Sequence, residues 1–106
     1  MTANRPVIVG LGEILSDLFP SGPRFGGAPA NFACHAAALG AEAHMVSAVG
    51  NDPLGEKALA ALTARGVGTS AVQRNEYATG TVNVQLDSAG QPSYTFAEDT
   101  AWDHLA

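Results

Sequence analysis

The strongest constraint on this chain is an alternation between two kinds of hydrophobic pattern. "PVIVGLG" (Pro6 to Gly12) is a continuous β-branched run closed by glycines, the pattern of a strand buried on both faces. From Pro29 to Leu39 the spacing turns helical. Pro29 suits the first helical position, Phe32, Ala36 and Leu39 share one face, and Gly40 is a natural stop. "AHMVSAVG" (Ala43 to Gly50) then reads as a second buried strand. Asp52 and Pro53 open a second helix that carries Leu54, Ala58, Leu62 and Arg65 before Gly66.

Beyond that helix the period changes to two. In "GTVNVQLDSAGQPSYTFAE", Val82, Val84 and Leu86 point one way and Thr81, Asn83 and Gln85 the other. Asp87 to Gln91 is a loop with Gly90, and Tyr94 and Phe96 resume the alternation, so this is a hairpin with one wet face. Between the first strand and first helix, "EILSDLF" is more loosely patterned and "PSGP" makes a turn. Strand, helix, strand, helix and then a hairpin predict an α/β fold: a parallel core with a separate antiparallel β flap. A sheet of two or three parallel strands has poorly covered edges, so the chain reads as the front part of something larger and is expected to self-associate.

Charge narrows the partners. Of 106 residues, ten are acidic and five basic, a net charge of -5. A phosphate backbone needs clustered Lys and Arg, and Arg5, Arg24, Lys57, Arg65 and Arg74 are scattered, so no nucleic-acid partner is expected. One cysteine, Cys34, permits no intrachain disulfide and reads as a small packed residue. The apolar run near the start is too short for a signal segment or a membrane span, which makes a cytoplasmic protein the expectation. Adjacent Cys34 and His35 point about 100° apart on a helix, and His44 and His104 are remote, so no metal site is expected. "GLGEIL" lacks the third glycine of a dinucleotide fingerprint, and there is no Walker-type glycine-rich loop.

"GGAPAN" is more informative. Gly26 and Gly27 ahead of a helix let a ligand approach backbone N–H groups, which could suit a phosphate. The carboxylate expected nearby, Asp17, would repel phosphate and accept hydrogen bonds from hydroxyls. Asn31, one turn in, both donates and accepts, which suits a polyol. The competing reading is structural: the glycines make a turn and Asn31 caps the backbone.

"GGAPANFACHAAALGAEAHMVSAVGNDPLG", with "GEILSD" before it and "GTVNVQLDSAGQPSYTF" and "AWDHLA" after it, resembles the N-terminal part of the ribokinase-like, or phosphofructokinase-B type, sugar kinases. "GEILSD" and "GGAPAN" resemble the fructokinase-like members. The resemblance runs from about Val7 to the last residue. It implies a ribokinase-like core with lid strands at approximately 13–18 and 80–97. The implied reaction is transfer of the ATP γ-phosphoryl group to a primary hydroxyl of a monosaccharide, fructose or a related sugar, with Mg2+. By matching position, Asp17, Gly26, Gly27 and Asn31 would hold the sugar. Val82, Val84 or Phe96 would cover it from the lid, and the lid would pair two copies into a homodimer. The family's "GAGD"-type segment, with its catalytic base and phosphate-binding helix, has no counterpart in the sequence. The resemblance therefore implies the sugar-binding part of a kinase, inactive by itself, without catalytic residues or an ATP site. The alternative is a non-catalytic binding or dimerisation module of the same origin.

Overall fold

The computed structural model describes residues 5–106. The chain builds two sheets that meet at a seam. In order come β1 (Val7–Leu11), β2 (Leu15–Phe19), β3 (Gly22–Gly26), α1 (Ala28–Ala38), β4 (Glu42–Gly50), α2 (Pro53–Ala64), β5 (Val72–Asn75), β6 (Gly80–Leu86), β7 (Pro92–Phe96) and a short 3₁₀ turn (Ala101–His104). The core sheet has the order β1-β4-β5 and is parallel throughout. The second sheet, the lid, has the order β3-β2-β6-β7. Its outer pairs are antiparallel hairpins, joined through a parallel pairing of β2 with β6. The chain thus leaves the core twice, and its two excursions zip together outside it.

Small residues set the distance between helix and core sheet. A Cβ built on Gly10 would lie 2.6 Å from the Pro29 carbonyl oxygen, 3.1 Å from Met45 Sδ and 3.2 Å from Ala33 Cβ. At that separation only an alanine face fits, and Ala30 and Ala33 are the helix residues fully buried. The expected apolar face is therefore not the core face: Phe32 and Leu39 are exposed, on another flank of α1. Proline stands second in this helix, after Ala28. The core is filled by Ile14, Met45, Val49, Ala58, Leu62 and Val67.

β1 also departs from expectation. It was expected to be buried on both faces, yet Val7, Val9 and Leu11 are 60%, 49% and 65% exposed. The strand lies at the sheet edge, and α1 covers only the face that carries Gly10. Two strands went unread. β3 occupies what looked like turn and loop, the turn shrinking to Pro20 and Ser21; β5 is four residues long and only partly buried. In the hairpin, Val82 and Val84 are buried as the alternation requires, whereas Leu86, Tyr94 and Phe96 are exposed.

α2 starts as its sequence dictates. Asp52 accepts a hydrogen bond from the Gly55 N–H at 2.8 Å, and Pro53 fills the first turn, where no N–H is needed. The same carboxylate reaches the lid. It accepts the Thr79 hydroxyl at 2.6 Å and the Thr79 N–H at 2.9 Å, while the Thr79 oxygen accepts the Gly50 N–H at 2.9 Å. Burial pushes the Asp52 carboxyl up, but the bonds from Thr79 and Gly55 together outweigh it and hold the group below the usual carboxylate range.

Three stability measurements follow from this packing. Gly10→Ala should lose about 1–3 kcal/mol in urea unfolding, because the Pro29 carbonyl has no room to retreat. Ser47→Ala should be neutral or stabilising by up to about 1 kcal/mol, since the buried Ser47 hydroxyl has no partner among the described residues. Because the folded-state value of Asp52 is lowered, its bonds stabilise the fold above the unfolded value of about 3.9 and are lost as pH falls through the folded value. The stability gap between wild type and Asp52→Asn should therefore be widest near neutrality and close in acid; a gap constant with pH would contradict it.

Candidate functional site

The seam between core and lid is made of backbone that only glycine can supply. Gly27 caps α1 with φ of 103°, and a Cβ there would sit 2.9 Å from the Glu13 carbonyl oxygen. A Cβ on Gly26 would meet Asp17 Oδ2 at 2.7 Å. The missing side chain at Gly26 is what allows the Asp17 carboxylate to lie against the β3 backbone. Both glycines are thus required by close approach, and Gly27 by its dihedral as well.

Register puts Asp17 at the centre of the lid. It stands opposite Arg24 on β3 and Val82 on β6, so it shares a sheet face with Arg24, Leu15, Val82 and Gly26. The Arg24 guanidinium lies over the Phe19 ring, 4.9 Å from its centroid, and none of the ion pairs among the described residues uses Asp17. Asn31 is on the core side of the seam, where its N–H closes the first helical bond to the Gly27 carbonyl at 2.9 Å. No side chain caps α1, which disposes of Asn31 as a capping residue and leaves its exposed amide free to face outward. Asp17, Gly26, Gly27 and Asn31 are therefore divided between two bodies, with Asp17 on the lid, Asn31 on the core and the glycines at the joint.

Next to this group an open cleft runs along the lid face, bounded by Glu13, Leu15, Phe96, Trp102, Asp99 and His104. Val82 and Val84 face the same side but are packed against Leu15, Phe19 and Trp102. Of the three residues expected to cover a ligand, only Phe96 presents an exposed ring to the cleft. Glu13 and Trp102 were not picked out from the sequence. The pattern "AWD" after the hairpin gave no sign that a Thr100–Asp103 capping box would turn Trp102 back under the lid.

The remaining candidates stay apart from the seam. Burial pushes the Cys34 thiol up and Arg65 only partly offsets it, so the thiolate is disfavoured. Arg65 lies over the Phe25 ring and Arg74 pairs with Glu56. No group of three or more His, Cys, Asp or Glu among the described residues is arranged to hold a metal ion, and no described helix is long and apolar enough to cross a membrane. The arrangement at the seam offers a carboxylate, an amide and open backbone: acceptors and donors for hydroxyl groups.

Comparison with known proteins gives a consistent match. Residues 22–105 fit the model of the pfkB family of carbohydrate kinases. A fructokinase of Klebsiella pneumoniae is 38% identical over 96 residues, which is 81% of this chain and 30% of that protein. The crystal structure of an uncharacterized sugar kinase of Pyrococcus horikoshii in complex with ATP superposes with a TM-score of 0.81 at 36% identity, over 90% of this chain and 35% of that one. A Vibrio cholerae fructokinase with fructose, ADP and calcium ion bound gives a TM-score of 0.83 at 31% identity, over 95% and 35%. The chain spans about a third of the length of the curated relatives it matches.

Proposed function

The chain belongs to the pfkB family of carbohydrate kinases, and on that premise we propose that it is the sugar-binding part of a fructokinase-like enzyme. The observation that carries the reading is the Asp17 carboxylate lying against the glycine backbone of Gly26, with Asn31 one helical turn beyond the Gly27 joint. A carboxylate accepts hydrogen bonds from sugar hydroxyls and repels a phosphate, so the Asp17 position suits the acceptor and not the nucleotide. Asn31 adds a donor and an acceptor, and the Phe96 ring lies over one side of the cleft. Lid closure over the sugar would exclude water, the competing acceptor of the phosphoryl group.

Phosphoryl transfer works by positioning and charge stabilisation. ATP with Mg2+ would supply the phosphoryl group and neutralise its charge. The residues that hold them, and the base that takes the hydroxyl proton, lie on this reading outside the 106 residues. The chain alone would then bind sugar without phosphorylating it. A cytoplasmic location goes with the same reading.

D-fructose is the first ligand to try, with Trp102, the single tryptophan, as an internal fluorescence reporter beside the cleft. Titration should give a saturable signal that Asp17→Asn weakens by about tenfold or more, the loss of hydrogen bonds to a charged acceptor. A chain that responds to no hexose or pentose, or an Asp17→Asn variant that binds as well as wild type, would sink the assignment. A coupled assay with ATP and fructose should show no turnover by the chain alone, and turnover above background would refute its confinement to the sugar side.

A second reading rests on β7. It is one of the lid's two edge strands and exposes Tyr94 as well as Phe96, a surface suited to a second copy of the chain. We propose a homodimer through the lid. Sedimentation velocity should show a concentration-dependent dimer that Tyr94→Lys dissociates. A dimer indifferent to Tyr94→Lys would move the contact elsewhere, to the exposed face of β1 first.

A further inference from the structure

The lid is joined to the core by four crossings, and they are built in two different ways. The two on the α1 side pass through Gly12 and Gly27, with φ of 133° and 103°, and no side chain caps the helix start between them and the core. The two on the β5 side are densely bonded. Thr79 is held by Asp52 and Gly50 as described above. The Ala101 N–H donates to the Ala78 carbonyl at 2.7 Å, and the Asn75 side chain donates to the Ala101 carbonyl at 2.9 Å and accepts the Tyr77 N–H at 3.1 Å. The Tyr77 and His104 rings stack with centroids 3.5 Å apart. The Gly12 N–H donates to the Val46 carbonyl at 3.1 Å, so the α1 side is held by backbone alone and the β5 side by side chains as well.

Asp52 does more here than a helix cap requires. Capping α2 needs one acceptor for the Gly55 N–H. Asp52 uses both oxygens and accepts two further bonds from Thr79, which is 2% exposed. Thr79 immediately precedes Gly80, the first residue of β6, and Gly80 pairs with Leu15 two residues before Asp17. A Cβ on Gly80 would lie 2.8 Å from Leu15 Cδ2 and 3.3 Å from Trp102 Cδ1, so a shift at Thr79 has no slack in which to die out. It passes through the β6–β2 pairing to Asp17, whereas Asn31 stands on α1 and stays with the core.

We propose that Asp52 is a positioning residue for the sugar site: by fastening Thr79 it fixes the lid at one side and sets where Asp17 stands relative to Asn31. This rests on the sugar-site reading of Asp17 and Asn31. Asp52 touches no ligand and acts only through Thr79 and the β6–β2 register.

The test separates the anchor from the cap. Asp52→Asn keeps an acceptor for Gly55 but turns an amide N–H2 toward the Thr79 N–H; Thr79→Val removes the hydroxyl without touching the cap; Thr79→Ser keeps the hydroxyl. Each chain is studied at low micromolar concentration and well below its thermal transition. Acrylamide quenching of Trp102 reports the lid seat, and D-fructose titration reports the site. The expected result is stronger quenching and about tenfold weaker fructose affinity in Asp52→Asn and Thr79→Val, the size of effect that loss of a hydrogen bond to a charged group produces, with Thr79→Ser near wild type in both. Wild-type quenching and affinity in Thr79→Val, or a Thr79→Ser variant as impaired as Thr79→Val, would overturn the proposal. If Asp52→Asn does not fold, the Thr79 pair decides alone. A wild-type chain that ignores fructose, with quenching still raised in Thr79→Val, would overturn the sugar reading and uphold the anchor.

Discussion

The absence of a Cβ at two consecutive positions is what the rest of the site depends on. Gly26 closes β3 under the Asp17 carboxylate, and Gly27 opens α1 against the Glu13 carbonyl. A Cβ at Gly27 would press on the Glu13 backbone carbonyl at 2.9 Å, and one at Gly26 would displace the Asp17 carboxylate, whose Oδ2 lies 2.7 Å away. Gly27 also has a φ of 103°, which a side chain would strain whatever the clearance. At Gly27 no side-chain repacking relieves the contact, because the neighbour is backbone.

The same economy of side chains organises the core. Gly10 under Pro29 and Ala33 brings α1 almost onto the sheet, and the alanine face of the helix is a consequence of that distance. Close approach maximises dispersion contacts per residue but leaves little apolar area for larger residues to bury. Those residues are displaced outward, to Phe32 and Leu39 on α1 and to Val7, Val9 and Leu11 on the far face of β1. The exposed apolar surface is thus tied to the tight core and is not scattered at random.

Much of the architecture was legible in residue order. Val7 to Gly12 and Ala43 to Gly50 read as strands, Asp52–Pro53 marked a helix start, and Gly66, with φ of 81°, marked its stop. What escaped reading was set by tertiary pairing. β3, "GPRFG", has two glycines and a proline and is a strand because β2 pairs with it residue for residue. β5, "VQRN", holds one aliphatic residue and exists because β4 offers it an edge. The Phe32–Leu39 face failed as a core face because periodicity shows which residues lie together and not which side meets the sheet. Asp17 and the glycines could be singled out from chemistry, but Trp102 and Thr79 reach the seam only through folding around Thr100 and Asp52.

A site divided between two bodies has a property that a site on one body lacks. A ligand that bonds to Asp17 on the lid and Asn31 on the core gains its full contact only when the seam is at one setting, so binding and lid position are a single equilibrium. The stiffness of the joint then matters in both directions. A lid loose at every crossing would lose ordering entropy on binding, and a lid fastened at every crossing could not admit the ligand. A backbone joint at Gly12 and Gly27 and a charged clamp at Asp52–Thr79 stand on opposite sides of one sheet. The clamp is also the better place for a charge. Its three hydrogen bonds compensate the desolvation of Asp52, whereas Asp17 is engaged by no ion pair among the described residues.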